Sequence, residues 1–339
     1  MVQPLANKPL RGVNLGGWLV LERWMTPTLF AGTDAEDEYS FMKTSGALVK
    51  LRAHQKSFIR EEDFEWMAAN GINAVRIPIG YWIFEGESPY VSSIGRLDWA
   101  VRMATKYNIR VLICLHAAPG SQNGEHHSGR QGDAAWFQDA RYRERTIAIL
   151  VRLAERYADQ AAVWGIELLN EPHAWRHVLR LRQFYKQAYT ALRKVARPGL
   201  ATVFHDAFMP RAMSGVLRAK PEYPVIMDVH WYQFFLPPWL QRILPFWCTK
   251  MLVQSRAWLF ERLSRAQPVI VGEWSGVIGG ETLQRVAHDR HELLMQEHLR
   301  RQVQLYACLK GWFYWSYKTE SRGIFHFRSM VEDGHVSLD

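Results

Sequence analysis

Residues 163–172, VWGIELLNEP, form a short apolar run that stops at an amide, a carboxylate and a proline. The run is continuous rather than alternating, which is typical of a parallel strand covered on both faces. Pro172 has no backbone N–H and ends the strand, so Asn170 and Glu171 lie at its carboxyl end. Glu167 lies earlier on the same strand, and we interpret it as a structural carboxylate. Glu171 is then the candidate for chemistry.

Similar runs recur along the whole chain. They lie at residues 11–15, 72–79, 109–115, 163–169, 201–205, 225–230, 268–273 and 311–315. Segments with helical periodicity separate most of them, at residues 61–70, 96–107, 139–158, 177–196, 250–266 and 289–309. The weakest helices are the fifth, near 208–219, and the one after the last strand. This alternation predicts an α/β protein with a single (β/α)8 TIM barrel.

A doubly wound open sheet is the alternative fold. It would favour a glycine-rich phosphate turn after the first strand, whereas NLGGWLVLE (14–22) lacks the GxGxxG spacing and the start of a helix. We therefore interpret residues 1–339 as one barrel domain. Two insertions, at about 16–60 and 231–250, interrupt the alternation. Both follow strands, so in a barrel they would lie at the carboxyl-terminal rim, where catalytic loops are found.

Composition narrows the functional classes. The 339 residues carry a net charge of +9, but the basic residues are spread along the chain and favour solvated helix faces over a nucleic-acid patch. The chain has 15 Trp, 13 Tyr and 16 Phe, which suit either stacking on sugar rings or an aromatic-rich core. We expect no nucleic-acid partner. The oligomeric state stays open.

The three cysteines, Cys114, Cys248 and Cys308, do not have the spacing of a metal site or a disulfide framework. Cys114 is interpreted as a core thiol, and we expect no metal and no cofactor. The amino-terminal segment MVQPLANKPLRG has no charged region followed by an apolar one. No run of 18 apolar residues predicts a membrane span. These features predict a cytoplasmic location.

Polar, titratable and aromatic residues lie at the carboxyl ends of six of the predicted strands. These residues are Arg76, His116, Asn170, Glu171, His230, Tyr232, Glu273 and Trp315. Because the carboxyl ends of barrel strands share one rim, we expect these side chains to lie close together. Glu171 and Glu273 come from the fourth and seventh strands, which face each other across a barrel. A facing pair of carboxyl groups is the minimum requirement for hydrolysis of a glycosidic bond.

Neighbouring residues suggest how the two carboxyl groups differ. We expect Arg76 and Tyr232 to donate hydrogen bonds to Glu273 and to hold it ionised. Glu171, surrounded by aromatic residues and close to a negative charge, is expected to have a raised pKa that suits a general acid. Asn170 is expected to bind a sugar hydroxyl beside them.

Six motifs in this order resemble glycoside hydrolase family 5. They are RIP at 76–78, LH at 115–116, LNEP at 169–172, HWY at 230–232, GEW at 272–274 and Trp315. The resemblance covers strands two to eight and implies a retaining (β/α)8 glycosidase, with Glu171 as acid/base and Glu273 as nucleophile. It also implies the residues that line the −1 subsite: Arg76, His116, Asn170, His230, Tyr232 and Trp315.

Three further segments, at 11–30, 115–124 and 312–321, resemble the exo-β-1,3-glucanase subgroup of that family. The resemblance implies that Glu22 binds hydroxyls of the terminal glucose and that Asn123 is a second sugar contact. The subgroup has an aromatic residue after SQNG that clamps the next sugar, whereas this chain has residues 125–127, Glu-His-His. Phe235 is expected to keep the opposite half of that clamp.

The resemblance implies an exo-β-glucanase or β-glucosidase, with β-1,3-glucan or another β-glucoside as substrate and with transglycosylation as a side reaction. Two alternatives stay open. The aromatic and basic segment 234–260 would suit a glucosylated lipid, another apolar aglycone or weak contact with a membrane. A sugar-binding barrel without catalysis is the other. His126 and His127 are interpreted as loop histidines rather than metal ligands.

Overall fold

The computed structural model describes residues 8–232, 257–278, 290–336 and 338. Eight parallel strands form a closed barrel in which each strand pairs with the next and the last pairs with the first. The strands are β1 (Leu10–Asn14), β2 (Ala74–Gly80), β3 (Arg110–Ala117), β4 (Val163–Glu167), β5 (Ala201–His205), β6 (Val225–Trp231), β7 (Val269–Trp274) and β8 (Gly311–Tyr314). The predicted (β/α)8 barrel is confirmed, and closure between β8 and β1 excludes the open sheet.

Helices surround the barrel. They are α1 (Glu38–Phe41), α2 (Ala47–Ser57), α3 (Glu61–Ala69), α4 (Ile94–Lys106), α5 (Ala140–Arg156), α6 (Val178–Leu192), α7 (Pro210–Met213), α8 (257–266), α9 (His291–Tyr306) and α10 (Phe327–Glu332). The expected fifth helix over 208–219 is only the single turn α7. Pro210 occupies the start of this turn, and Gly215, at φ +70°, lies just beyond its end.

The first rim insertion, 16–60, contains a short 3-10 helix (Pro27–Phe30) together with α1 and α2. Most of the second, 231–250, lies outside the described residues, as does Phe235. Among the helices that the structure describes, none combines the length and the apolar character that a membrane span requires.

Side chains inside the barrel are arranged in layers. The floor is apolar and consists of Leu10, Ala74, Leu112, Ala201, Val203, Ile226, Ile270 and Phe313. Above this floor the interior holds polar groups, and these are fully buried: Asn14, Arg76, Cys114, Glu167 and Asp228. Arg76, Cys114 and Asp228 lie two residues beyond floor residues of β2, β3 and β6, as the alternation of a strand requires. The candidate site residues at the rim therefore lie on this polar layer, which in turn packs on the apolar floor.

A β-bulge turns Glu273 into the barrel. Val229 pairs with Val271 and His230 pairs with Glu273, so Gly272 is an extra residue in β7. Its N–H donates to Oδ1 of Asp228 at 2.6 Å, and any side chain here would collide with that carboxylate. The glycine is therefore required for the bulge, and the bulge shifts the alternation by one residue.

Candidate active site

Arg76, on β2, organises the polar layer below the rim. Its guanidinium donates to Glu167 Oε2 at 2.7 Å, Asn14 Oδ1 at 2.9 Å, Glu273 Oε1 at 2.8 Å and Asn170 Oδ1 at 2.7 Å. The rigid fork of five N–H donors allows one cation to orient several acceptors. Glu273 and Asn170 are thus held in fixed positions from beneath.

The two candidate carboxyl groups meet at a single histidine. Nδ1 of His230 lies 2.6 Å from Glu171 Oε1 and 3.6 Å from Glu273 Oε2, and the hydroxyl of Tyr232 donates to the same Glu273 oxygen at 3.0 Å. The Glu171 and Glu273 oxygens that share this nitrogen therefore lie no more than about 6.2 Å apart, which is compatible with the spacing of about 5–5.5 Å between the carboxyl groups of retaining enzymes. This geometry suits the retaining mechanism.

The chain after β4 brings Glu171 to this position. Glu171 has φ +40°, a left-handed conformation that a residue with a side chain rarely adopts. The amide of Asn123 donates to the Glu171 carbonyl at 3.1 Å, and the Asn170 N–H donates to the Leu115 carbonyl at 3.0 Å. Hydrogen bonds to the backbone of both Asn170 and Glu171 therefore fix this turn.

The pKa values differ from the sequence-based expectation. Burial raises the pKa of Glu273 to about 7, although His230 and Arg76 act in the opposite direction. Burial also acts to raise the pKa of Glu171, but the hydrogen bond and the charge of His230 bring it below its ordinary value. The expected hydrogen bonds from Arg76 and Tyr232 to Glu273 are confirmed. The expectation that the raised pKa would belong to Glu171, with Glu273 held ionised, is wrong. It missed the short contact from His230.

This electrostatic arrangement predicts a pH dependence. Glu171 and Glu273 titrate as a pair, and retaining hydrolysis requires one proton, on Glu171, with Glu273 ionised. Because the pKa of Glu273 is raised to about 7, the pair keeps one proton up to that pH. We expect kcat/KM for an aryl β-glucoside to fall about tenfold per pH unit above about pH 7. Steady-state kinetics would test this, with thermal unfolding at each pH as the control. An unchanged kcat/KM at about pH 9 would contradict the assignment.

A cavity of about 610 Å³ opens above the carboxyl pair. Most of the predicted site residues line it: Glu22, His116, Asn170, Glu171, Tyr232, Glu273 and Trp315. Seven further residues line it that we did not predict as site residues: Trp24, Glu125, His126, His127, His173, Phe208 and Phe325. The Trp315 ring stacks on His116, with ring planes 6° apart and centroids at 5.7 Å. The cavity therefore combines aromatic walls with several carboxylates and imidazoles, which suits a sugar ring.

Three predicted site residues lie behind this lining. Arg76 and His230 contact the carboxyl groups from below and from the side. Asn123 uses both ends of its amide within the chain, since Oδ1 accepts from the Glu125 N–H at 3.0 Å and Nδ2 binds the Glu171 carbonyl. The structure therefore places Asn123 in contact with the catalytic loop, and its expected sugar contact stays a prediction.

Glu22 comes from the first rim insertion and is almost completely buried. Its Oε2 accepts from Trp24 Nε1 at 2.9 Å and lies 3.4 Å from His126 Nε2. Trp24 packs edge-on against Phe325, with centroids 5.0 Å apart. A carboxylate held in this way in the lining of the cavity is suited to accept hydrogen bonds from sugar hydroxyls.

Two groups of residues at the base of the site lie close enough to share a cation. They are Glu171, His205 and His230, and Glu167, Asp228 and His230. His205 Nδ1 accepts from the Ala207 N–H at 2.9 Å, so its proton lies on Nε2, which cannot then bind a metal. Arg76 already supplies positive charge at 2.7 Å from Glu167 and 3.9 Å from Asp228. The donor sets therefore fit a metal poorly.

Replacing Arg76 by methionine tests how much the stability of the polar layer depends on this cation. The change leaves Glu167 buried without its cation, and we expect the free energy of unfolding to fall by about 3–5 kcal/mol. Arg141→Met is the matched control, because Arg141 pairs with Asp139 at the surface and should cost less than about 1 kcal/mol. Urea denaturation followed by circular dichroism would measure both. Equal denaturation midpoints for the two variants would contradict the account.

Comparison with known proteins agrees with this geometry. Residues 36–321 match the family model described as cellulase, glycosyl hydrolase family 5. A Blumeria graminis protein named glucan 1,3-beta-glucosidase is 34% identical, over 97% of this chain and 87% of the relative. An Emericella nidulans protein named probable glucan 1,3-beta-glucosidase A is also 34% identical, over 97% of this chain and 90% of the relative.

Solved structures show the same fold. The rutinosidase from Aspergillus niger superposes with a TM-score of 0.81 at 19% identity and covers 97% of this chain and 98% of its own. The endoglucanase Cel5A from Thermotoga maritima gives 0.57 at 18% identity, over 91% and 89% of the two chains. The family model, the two relatives and the paired carboxyl groups lead to one conclusion: the chain belongs to glycoside hydrolase family 5 and is a retaining β-glycosidase.

Proposed function

We propose that the enzyme removes single glucose units from the non-reducing end of β-1,3-glucans and related β-glucosides. The observation that carries the proposal is Glu22, a buried carboxylate that lines the same cavity as Glu171 and Glu273. A carboxylate at this place suits hydroxyl groups of a terminal sugar, and its presence favours a chain end over the interior of a glucan. The names of the two fungal relatives support the β-1,3 linkage.

The reaction follows from the positions of the two carboxyl groups. Glu273, held by Arg76 and Tyr232, attacks the anomeric carbon while the glycosidic C–O bond breaks. Glu171 gives its proton to the leaving oxygen. In the second step Glu171 takes a proton from water, the water oxygen attacks the anomeric carbon, and the bond to Glu273 breaks. A sugar hydroxyl in place of water would give transglycosylation.

A substrate panel tests the proposal. We expect laminari-oligosaccharides to release glucose alone, with kcat/KM at least about tenfold above that for β-1,4-linked oligosaccharides of equal length. Glu22→Gln is expected to lower kcat/KM about 10- to 100-fold on every substrate, since it weakens hydrogen bonds to the terminal sugar. Early release of longer oligosaccharides, or a Glu22→Gln variant that retains full activity, would contradict an exo-acting pocket.

A glucosylated lipid or another apolar aglycone is the alternative substrate. Phe208, 39% exposed, lines the cavity, and Trp258 of α8 is 54% exposed. Residues 234–256 of the aromatic segment 234–260 lie outside the described residues. Assays on glucosyl-lipid in mixed micelles and on laminaritriose, run in parallel, separate the two. Faster turnover of the glucosyl-lipid than of laminaritriose would favour the alternative, and no turnover of the glucosyl-lipid would exclude it.

A further inference from the structure

Two adjacent histidines contact two different carboxylates of the site. His126 and His127 form a single 3-10 turn (His126–Ser128) in the loop after β3. His126 Nε2 lies 3.4 Å from Glu22 Oε2, and His127 Nε2 lies 3.5 Å from Glu171 Oε2. Two consecutive residues therefore contact Glu22, which is proposed to bind the sugar hydroxyls, and Glu171, which is proposed to protonate the leaving group.

The two oxygens of Glu171 have different neighbours. Oε1 is only 2.6 Å from His230 Nδ1, so it is occupied by that hydrogen bond. Oε2 faces His127, whose side chain is 14% exposed. Because Oε1 is engaged, Oε2 is the oxygen that is free to exchange a proton with a substrate. His127 is therefore the histidine next to the reacting oxygen.

The surroundings of His127 favour a neutral ring with Nε2 close to Glu171 Oε2. It packs edge-on against His116, with centroids 5.3 Å apart. Glu171, Glu22, His126 and Glu125 are the other titratable groups that act on it. Burial lowers the pKa of His127, although the carboxylates act in the opposite direction. At neutral pH the ring can donate through Nε2 without adding a charge.

We propose that His127 is a positioning residue for the acid step, orienting Oε2 of Glu171 and stabilising the carboxylate left after its proton moves to the leaving oxygen. The inference rests on the proposed acid/base role of Glu171. His126 has a separate task, because it contacts Glu22 and so acts on sugar binding. Neither histidine forms a bond to the substrate in this scheme. Replacing His127 and replacing His126 should therefore lower kcat/KM with a different dependence on the leaving group.

A series of aryl β-glucosides with leaving groups of increasing basicity tests this. A dinitrophenolate departs without protonation, whereas a weakly acidic phenol needs the proton from Glu171. For His127→Phe we expect kcat/KM to fall about 10- to 100-fold on the least acidic phenol and less than about threefold on the dinitrophenyl glucoside. His127→Gln is expected to restore part of the loss, because its amide can donate to the same oxygen.

His126→Gln is the matched control, and we expect it to lower kcat/KM by a similar factor on every member of the series. Thermal unfolding identifies a variant that does not fold, in which case His127→Gln alone decides the test through its leaving-group dependence. An equal loss across the series for the His127 variants would overturn the positioning role only. Absence of turnover of every β-glucoside by the native chain would overturn the proposed function as well.

Discussion

Replacing Glu273 by glutamine is expected to reduce kcat on every β-glucoside by more than about 10⁴-fold, because the amide cannot form the glycosyl ester. The substitution preserves shape, and the amide oxygen can still accept from Arg76, which lies 2.8 Å from Glu273. Initial rates with a dinitrophenyl β-glucoside would measure the loss, since this substrate needs no acid catalysis. A loss of rate on this substrate therefore reports on the nucleophile and not on the acid.

Glu155→Gln is the control for the chemical change itself, since Glu155 is exposed near the end of α5 and does not line the cavity. This variant should retain native kcat. Thermal unfolding of Glu273→Gln should give a midpoint at or above the native value, because burial disfavours the ionised carboxyl that the amide replaces. Activity of Glu273→Gln within about tenfold of the native chain would rule out Glu273 as the nucleophile.

Glu171→Ala is the second change with a large expected effect, and its effect depends on the leaving group. On an oligosaccharide we expect kcat/KM to fall about 10²- to 10⁴-fold, because no group protonates the leaving oxygen. On a dinitrophenyl β-glucoside the glycosyl-enzyme should still form and accumulate. A burst of dinitrophenolate followed by slow turnover, measured by stopped-flow absorbance, is the expected signature.

Azide provides a stereochemical control for the two carboxyl positions. It needs no general base, so with Glu171→Ala it should restore turnover and yield the β-glucosyl azide. With Glu273→Ala it should occupy the space of the missing nucleophile and yield the α-glucosyl azide. Nuclear magnetic resonance of the products distinguishes the two. The opposite pairing of variants and anomers would mean that the roles of Glu171 and Glu273 are exchanged.

The barrel was predictable because buried parallel strands leave continuous apolar runs in the sequence. The run at 163–169 corresponds to β4 (Val163–Glu167), and the run at 201–205 coincides with β5. The predicted helix at 208–219 shortened to α7, since Pro210 and Gly215 confine it to one turn. The inward direction of Glu273 was not predictable from alternation, because it depends on the bulge at Gly272.

The site was predictable at the ends of the strands and less so in the loops. Glu171 and Glu273 follow directly from strand order, whereas Phe208 reaches the cavity through a loop with φ values of +52° at Ala207 and +59° at Phe208. Local sequence does not specify such values for residues with side chains. The position of Phe208 just after β5 was the available signal. The Glu-His-His sequence at 125–127 marked the loop that holds His127. The contact of His127 with Glu171 was not predictable, since it depends on how the loop folds back.

The most direct test of the central claim is to trap the glycosyl-enzyme with a 2-deoxy-2-fluoro-β-glucoside that carries a dinitrophenyl leaving group. The fluorine slows both steps, and the good leaving group lets the first one proceed, so the ester accumulates. Mass spectrometry of peptides from the inactivated enzyme should find one fluoroglucosyl group, on Glu273. A label on Glu171 or on any other residue, or turnover without a trapped ester, would contradict the account.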